Sequence, residues 1–183
     1  CGLLVESRYL AMMLFATNPH PQGSAVLQRC WFASSVGLTL PAIVALDQLV
    51  RHPAMTPKKL LRWYSPFLAV YAAVLLFGQI ELVADPIVGV SPTLKGWGIG
   101  LLTFAHSVFV MGFLGLGILL IKKLPSRPIR IALVYLMAAY GYLGVDGLLV
   151  TFGRWYVRPF LFSEMLTLLA IWFALETARK HAI

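Results

Sequence analysis

Seven acidic residues stand in a chain of 183. Several of them fall inside runs of apolar residues, where an ionisable group is expensive. Glu81, Asp85, Asp146 and Glu164 are the carboxylates in question, and His106 is the histidine within such a run. Carboxylates near an imidazole can bind and release protons, or hold a small polar ligand. The same side chains can instead serve as interhelical glue, satisfying one another and fixing the packing. Arg154 and Arg158 follow Asp146 closely and can pair with it or with an anionic ligand.

The elements that carry these residues are read from hydropathy. The chain is 60% hydrophobic and 12% charged, with a net charge of +8. Its mean hydropathy is +0.82. A soluble domain carries about 25% charged residues, so this composition points to an integral membrane protein. A disulfide-stapled secreted domain is excluded, because only two cysteines occur. The basic balance is explained by membrane loops without invoking nucleic acid.

Five apolar stretches are long enough to cross about 30 Å of hydrocarbon. They run near Ala25–Val50, Pro66–Val88, Trp97–Ile121, Ile131–Phe152 and Pro159–Ala178. Helices satisfy their own backbone groups in lipid, so helices are expected. The segment Leu3–Ala16 is too short to span and reads as the tail of a truncated helix. The fold expected is an all-α polytopic transmembrane bundle. It has five full spans plus a partial N-terminal helix, in one domain over residues 1–183. The opening Cys1-Gly2 without Met reads as a fragment rather than a lipidated start.

Loop charges set the orientation. Ten Lys/Arg lie on one side: Arg51, Lys58, Lys59, Arg62, Lys122, Lys123, Arg127, Arg130, Arg179 and Lys180. Four lie on the other: Arg29, Lys95, Arg154 and Arg158. The positive-inside rule places the ten in the cytoplasm, together with the C-terminus. A plasma (inner) membrane location with several passes follows. Trp97, Trp155, Tyr156, Trp63 and Tyr64 sit at span ends, where an aromatic belt is expected.

With that orientation the polar groups share a depth. Helical rise places Glu81, Asp146 and Glu164 about 8–9 Å from the outer ends, and His106 about 13 Å. An outward-facing polar pocket is therefore expected from Glu81, His106, Asp146 and Glu164, with Arg154 at its rim. Its ligand or stimulus is a small molecule or a proton. Gly141, Gly144 and Gly147, with Gly112, Gly115 and Gly117, offer close helix approach.

No catalytic signature is present: no His-Glu-x-x-His, no Gly-x-Ser-x-Gly and no phosphate loop. One histidine in the spans leaves no pair of axial haem ligands. No mid-span lysine is available for a retinal Schiff base. No metal, cofactor or enzymatic role is therefore expected of this chain.

Three stretches carry a family resemblance. They are Phe15–Pro19 followed by Leu27–Ala33 and Leu40-Pro41-Ala42; the basic run Ile121-Lys122-Lys123 to Arg130; and the end Ala178–Ala182. Together they resemble the N-terminal seven-helix membrane region of bacterial sensor histidine kinases and related signalling proteins. The resemblance covers helices two (partial) to seven and implies a lost first helix. It implies a sensory, signal-transducing module that relays to a cytoplasmic signalling domain, with a homodimer possible. The alternative is a small transporter or an accessory subunit of a membrane complex.

Overall fold

A computed structural model of the chain describes residues 38–50, 57–85, 89–124, 126–151 and 157–181. The described elements are α1 (Leu38–Val50), α2 (Pro57–Phe77), β1 (Gln79–Asp85), β2 (Gly89–Lys95), α3 (Trp97–Ile121), α4 (Arg127–Thr151) and α5 (Val157–His181). The architecture is helical, with one two-stranded hairpin between α2 and α3.

Two of these helices, Trp97–Ile121 and Arg127–Leu149, are long and apolar enough to cross a membrane. Five full spans were expected. The clearest departure is Pro66–Val88, which is not one helix. Helix α2 begins nine residues before Pro66 and ends at Phe77. Pro66 lacks the N–H that the Arg62 carbonyl would receive from residue i+4. The Ser65 hydroxyl donates to that carbonyl instead, at 2.7 Å. The helix therefore runs through the proline. It stops at Gly78, whose N–H bonds the Val74 carbonyl at 2.8 Å. A Cβ on Gly78 would collide with that same carbonyl.

Residues 79–85 of the stretch pair with residues 89–95 as an antiparallel hairpin, in register from Gln79↔Lys95 to Asp85↔Gly89. Its apolar content misleads because hydropathy is the same for a strand and a helix. Ile80 and Val83 are β-branched, and Pro86 and Pro92 oppose a helix over the same residues. Gly96, at φ 64, turns the chain from β2 into α3, a conformation that glycine adopts without steric cost.

Close contacts fix the order of the helices. A Cβ on Gly112 would lie 2.9 Å from the Trp63 ring, and Tyr71 meets His106, so α2 and α3 run antiparallel. Gly141 faces Leu114, Gly144 faces Val110, and Gly117 is filled over by Met137, so α3 and α4 run antiparallel. Thr167 on α5 donates to the Ala139 carbonyl of α4, while Tyr135 meets Phe173 and Tyr142 meets Phe162. Hence α4 and α5 are antiparallel as well. Gly112, Gly117, Gly141 and Gly144 make room for side chains of the neighbouring helices.

The core joins α1, α2, α3, α4 and α5 around Leu46, Tyr64, Phe109, Phe113, Leu136 and Ala174. Phe109 is its aromatic hub, 4.9 Å from Tyr64, 5.1 Å from Phe67 and 6.2 Å from Tyr140 by ring centroids. Tyr64 was expected in an aromatic belt. It is fully buried in this cluster instead, while its neighbour Trp63 and also Trp97 stay about half exposed. Trp155 and Tyr156 lie outside the described residues, as does the partial N-terminal helix.

Candidate functional site

Of the five residues expected to form one pocket, the four described ones fall in different places. His106 lies on α3, with its Nδ1 3.4 Å from the Tyr71 hydroxyl of α2. Its Nε2 is buried and has no partner. Asp146 is buried on α4 at 3% exposure, and its Oδ2 has no partner. It continues the row Tyr135, Ala139 and Tyr142, spaced four, three and four residues apart. Each of those three meets α5. Residues at that spacing share one helix face, so Asp146 lies on the α5 side of α4. Glu164 is buried on α5 at 1% exposure, beside Ser163.

Glu81 was expected about 8 Å inside a helical span. It stands on β1, exposed, and pairs with Lys95 of β2 at 2.5 Å. The reason is the hairpin itself, which removes residues 79–85 from any helix and sets Gln79 opposite Lys95. Arg154 lies outside the described residues. His106 and Asp146 thus occupy two separate helix interfaces, α2–α3 and α4–α5, at corresponding heights. Glu81 joins neither.

Sequence reasoning missed the hydroxyl groups around His106. Thr103 lies one turn before it on α3, and its Oγ1 is buried without a partner. On the other side of Phe109, the Tyr140 hydroxyl donates to Thr39 Oγ1 at 3.0 Å, across α4 and α1. Tyr64 lies beside the same threonine, and its hydroxyl completes no hydrogen bond. Tyr64 and Tyr71 are seven residues apart on one face of α2, and Tyr64 and Tyr140 both pack on Phe109. A polar seam of Thr103, His106, Tyr71, Tyr64, Thr39 and Tyr140 therefore runs through an aromatic core. Three of its atoms, Thr103 Oγ1, His106 Nε2 and the Tyr64 hydroxyl, are buried without a hydrogen-bond partner among the described residues. Tyrosines at helical spacing read as core or interface residues, and the Tyr71–His106 pairing spans 35 positions. No local pattern signals either.

Buried polar atoms without partners are uncommon, because each costs its lost hydration. Here they sit on or beside helices apolar enough for a membrane. In either tautomer, His106 has one ring nitrogen unmatched. If Nδ1 accepts from Tyr71, an Nε2–H is left over; if Nδ1–H donates, an Nε2 lone pair is left over.

At the opposite end of the bundle the charges are solvated. Glu176 accepts from Arg179 at 2.8 Å and pairs with Lys180 at 3.3 Å. The Glu176 carboxylate raises the Arg179 guanidinium above its ordinary value. Among the described residues, no three metal-ligating side chains gather. No known family, curated protein or solved structure matches the chain.

Proposed function

We propose that the chain is a membrane-embedded sensory and signal-transducing module of the plasma membrane. It crosses several times, with a cytoplasmic C-terminus. The single observation that supports this most strongly is His106: one ring nitrogen facing Tyr71, the other buried and unmatched. A small group that pairs with Nε2 recovers about 1–3 kcal/mol of unmet hydrogen bonding. A proton is the smallest such input, and imidazole is the side chain suited to it near neutral pH.

Protonation would place a charge in an apolar interface and alter how α2 seats on α3. The groups facing His106 from its neighbours are Tyr71 on α2 and, on its own helix, Thr103. Asp146 and Glu164 lie in the α4–α5 seam, one helix away. Antiparallel α3, α4 and α5 then connect the seam to the basic C-terminal turn at Arg179–His181. A cytoplasmic signalling domain or a second copy of the chain would receive the change there. The resemblance to the membrane region of sensor histidine kinases points the same way.

Trp63 is the reporter, because its ring abuts Gly112 and lies 6.5 Å from Phe109, one turn from His106. The other four tryptophans are replaced by Phe and the chain is placed in lipid nanodiscs. Emission from Trp63 should change as the pH falls through and below about 6.5, and His106→Gln should abolish the change. An unchanged spectrum, or the same change in the variant, contradicts the reading.

A further inference from the structure

We infer that the basic residues closing α3 and opening α4, Lys122, Lys123, Arg127 and Arg130, bind the headgroup of an anionic phospholipid. The inference rests on the membrane reading above, and on nothing about His106.

The antiparallel order brings several helix ends to one end of the bundle. The first turn of α2 carries Lys58 and Lys59. Trp63 sits level with Gly112, so these lysines lie near residues 116–117 of α3, about 8 Å short of Lys122. Lys122 and Lys123 close α3, and Arg127 and Arg130 open α4. Opposite Arg127–Arg130, by the pairing of Ala139 with Thr167, lie Arg179 and Lys180.

These cations do not share one fate. Glu176 engages Arg179 and Lys180. Lys122, Lys123, Arg127 and Arg130 are all exposed, and among the described residues none of them has an anionic partner. Backbone bonds fix each helix end separately: the Leu120 carbonyl accepts from the N–H groups of Lys123 and Leu124, at 2.9 and 3.1 Å. Arg130 N–H reaches back to the Ser126 carbonyl at 3.1 Å. Arg127 also stands at the N-terminus of α4, where the helix dipole favours an anion.

The occupant is a lipid rather than a free anion because of what adjoins the charges. One turn along α3, Ile118 and Leu119 are 57% and 66% exposed; one turn along α4, Ile131 and Val134 are 41% and 49% exposed. Cations that grade within about 6 Å into open aliphatic surface match a phosphate headgroup with its acyl chains. Each such cation near an anionic surface contributes roughly fivefold to binding.

The test uses the full chain in detergent micelles, with dioleoyl phosphatidylglycerol and dioleoyl phosphatidylcholine as probes in native mass spectrometry. Retention of phosphatidylglycerol should exceed that of phosphatidylcholine at least tenfold. The quadruple variant K122Q/K123Q/R127Q/R130Q should lose that preference. The charge-conserving K122R/K123R/R127K/R130K should keep it, which separates loss of charge from loss of fold. Equal retention of both lipids overturns the inference. So does an undiminished preference in the glutamine variant, or equal protection by inorganic phosphate alone. Failure of the chain to stay in membranes after alkaline carbonate washing would instead overturn the membrane reading itself.

Discussion

The Tyr71 hydroxyl and the His106 imidazole face each other at 3.4 Å across the α2–α3 interface, 35 residues apart in sequence. This is a long hydrogen bond, and its strength depends on what the far ring nitrogen does. A partner at Nε2 polarises the ring and tightens or releases Tyr71. Tyr71→Phe should therefore weaken the bundle only modestly, by about 0.5–1.5 kcal/mol in detergent unfolding. In a double-mutant cycle with His106→Phe, the two losses should not add. Strict additivity would show that the two side chains do not interact.

The Thr39–Tyr140 bond tests how tightly α1 is held to α4. Thr39→Val deletes the acceptor at 3.0 Å and leaves the buried Tyr140 hydroxyl unmatched. The expected cost is about 1–3 kcal/mol, read as a lowered melting temperature in micelles. Thr39→Ser, which keeps the oxygen, should lose much less. Equal losses in both would show that the Thr39 hydroxyl contributes no more than the methyl group that serine lacks.

Ser65 and Pro66 form a local device that a cycle can isolate. Ser65→Ala removes the donor to the Arg62 carbonyl, and should cost about 0.5–1.5 kcal/mol. In the Pro66→Ala background the backbone N–H returns to that carbonyl. The Ser65 substitution should then cost nearly nothing. A constant cost in both backgrounds would mean that Ser65 does not compensate for the proline.

Two glycines on neighbouring helices should differ sharply. A Cβ on Gly144 would lie 3.0 Å from the Val110 methyl groups, whereas one on Gly115 meets nothing within 4 Å. Gly144→Leu should destabilise the α3–α4 contact by about 1–3 kcal/mol through overpacking. Gly115→Leu should be neutral or stabilising, since leucine favours helix over glycine by up to about 1 kcal/mol. Thermal unfolding of the two variants side by side checks the pair.

The legible part of the fold was the part with a single signal. Trp97–Ile121 was read to the residue, because Lys95-Gly96 and Lys122-Lys123 bracket an uninterrupted apolar run. The α4 and α5 cores were found as well, with ends extended by a few residues because Arg127, Arg130, Arg179 and Lys180 are helical. The hairpin was not legible. Hydropathy over Pro66–Val88 cannot separate a helix ending at Phe77 from one ending at Val88. Pro66 looked like a boundary only because the Ser65 compensation is invisible in sequence.

The candidate site divided along the same line. His106, Asp146 and Glu164 were singled out because a charge in an apolar run is conspicuous, and all three lie within the bundle. Glu81 was misplaced together with its helix. Tyr64 reads in sequence as a belt residue, and Thr39, Tyr71, Thr103 and Tyr140 carry no sequence signal of their own. Hydroxyl side chains are unremarkable in apolar helices until the tertiary contacts show which of them are paired.

The claim on which everything else depends is that α3 carries its polar seam across a membrane. Single cysteines at Gln79 and Lys123, in a chain with Cys1 and Cys30 replaced by serine, bracket α3 at its two ends. A membrane-impermeant maleimide applied to intact cells, then to lysed cells, reads their sides directly. The account predicts labelling of Gln79→Cys in intact cells and of Lys123→Cys only after lysis. Labelling of both positions from the same side, or recovery of the chain in the soluble fraction, would contradict it.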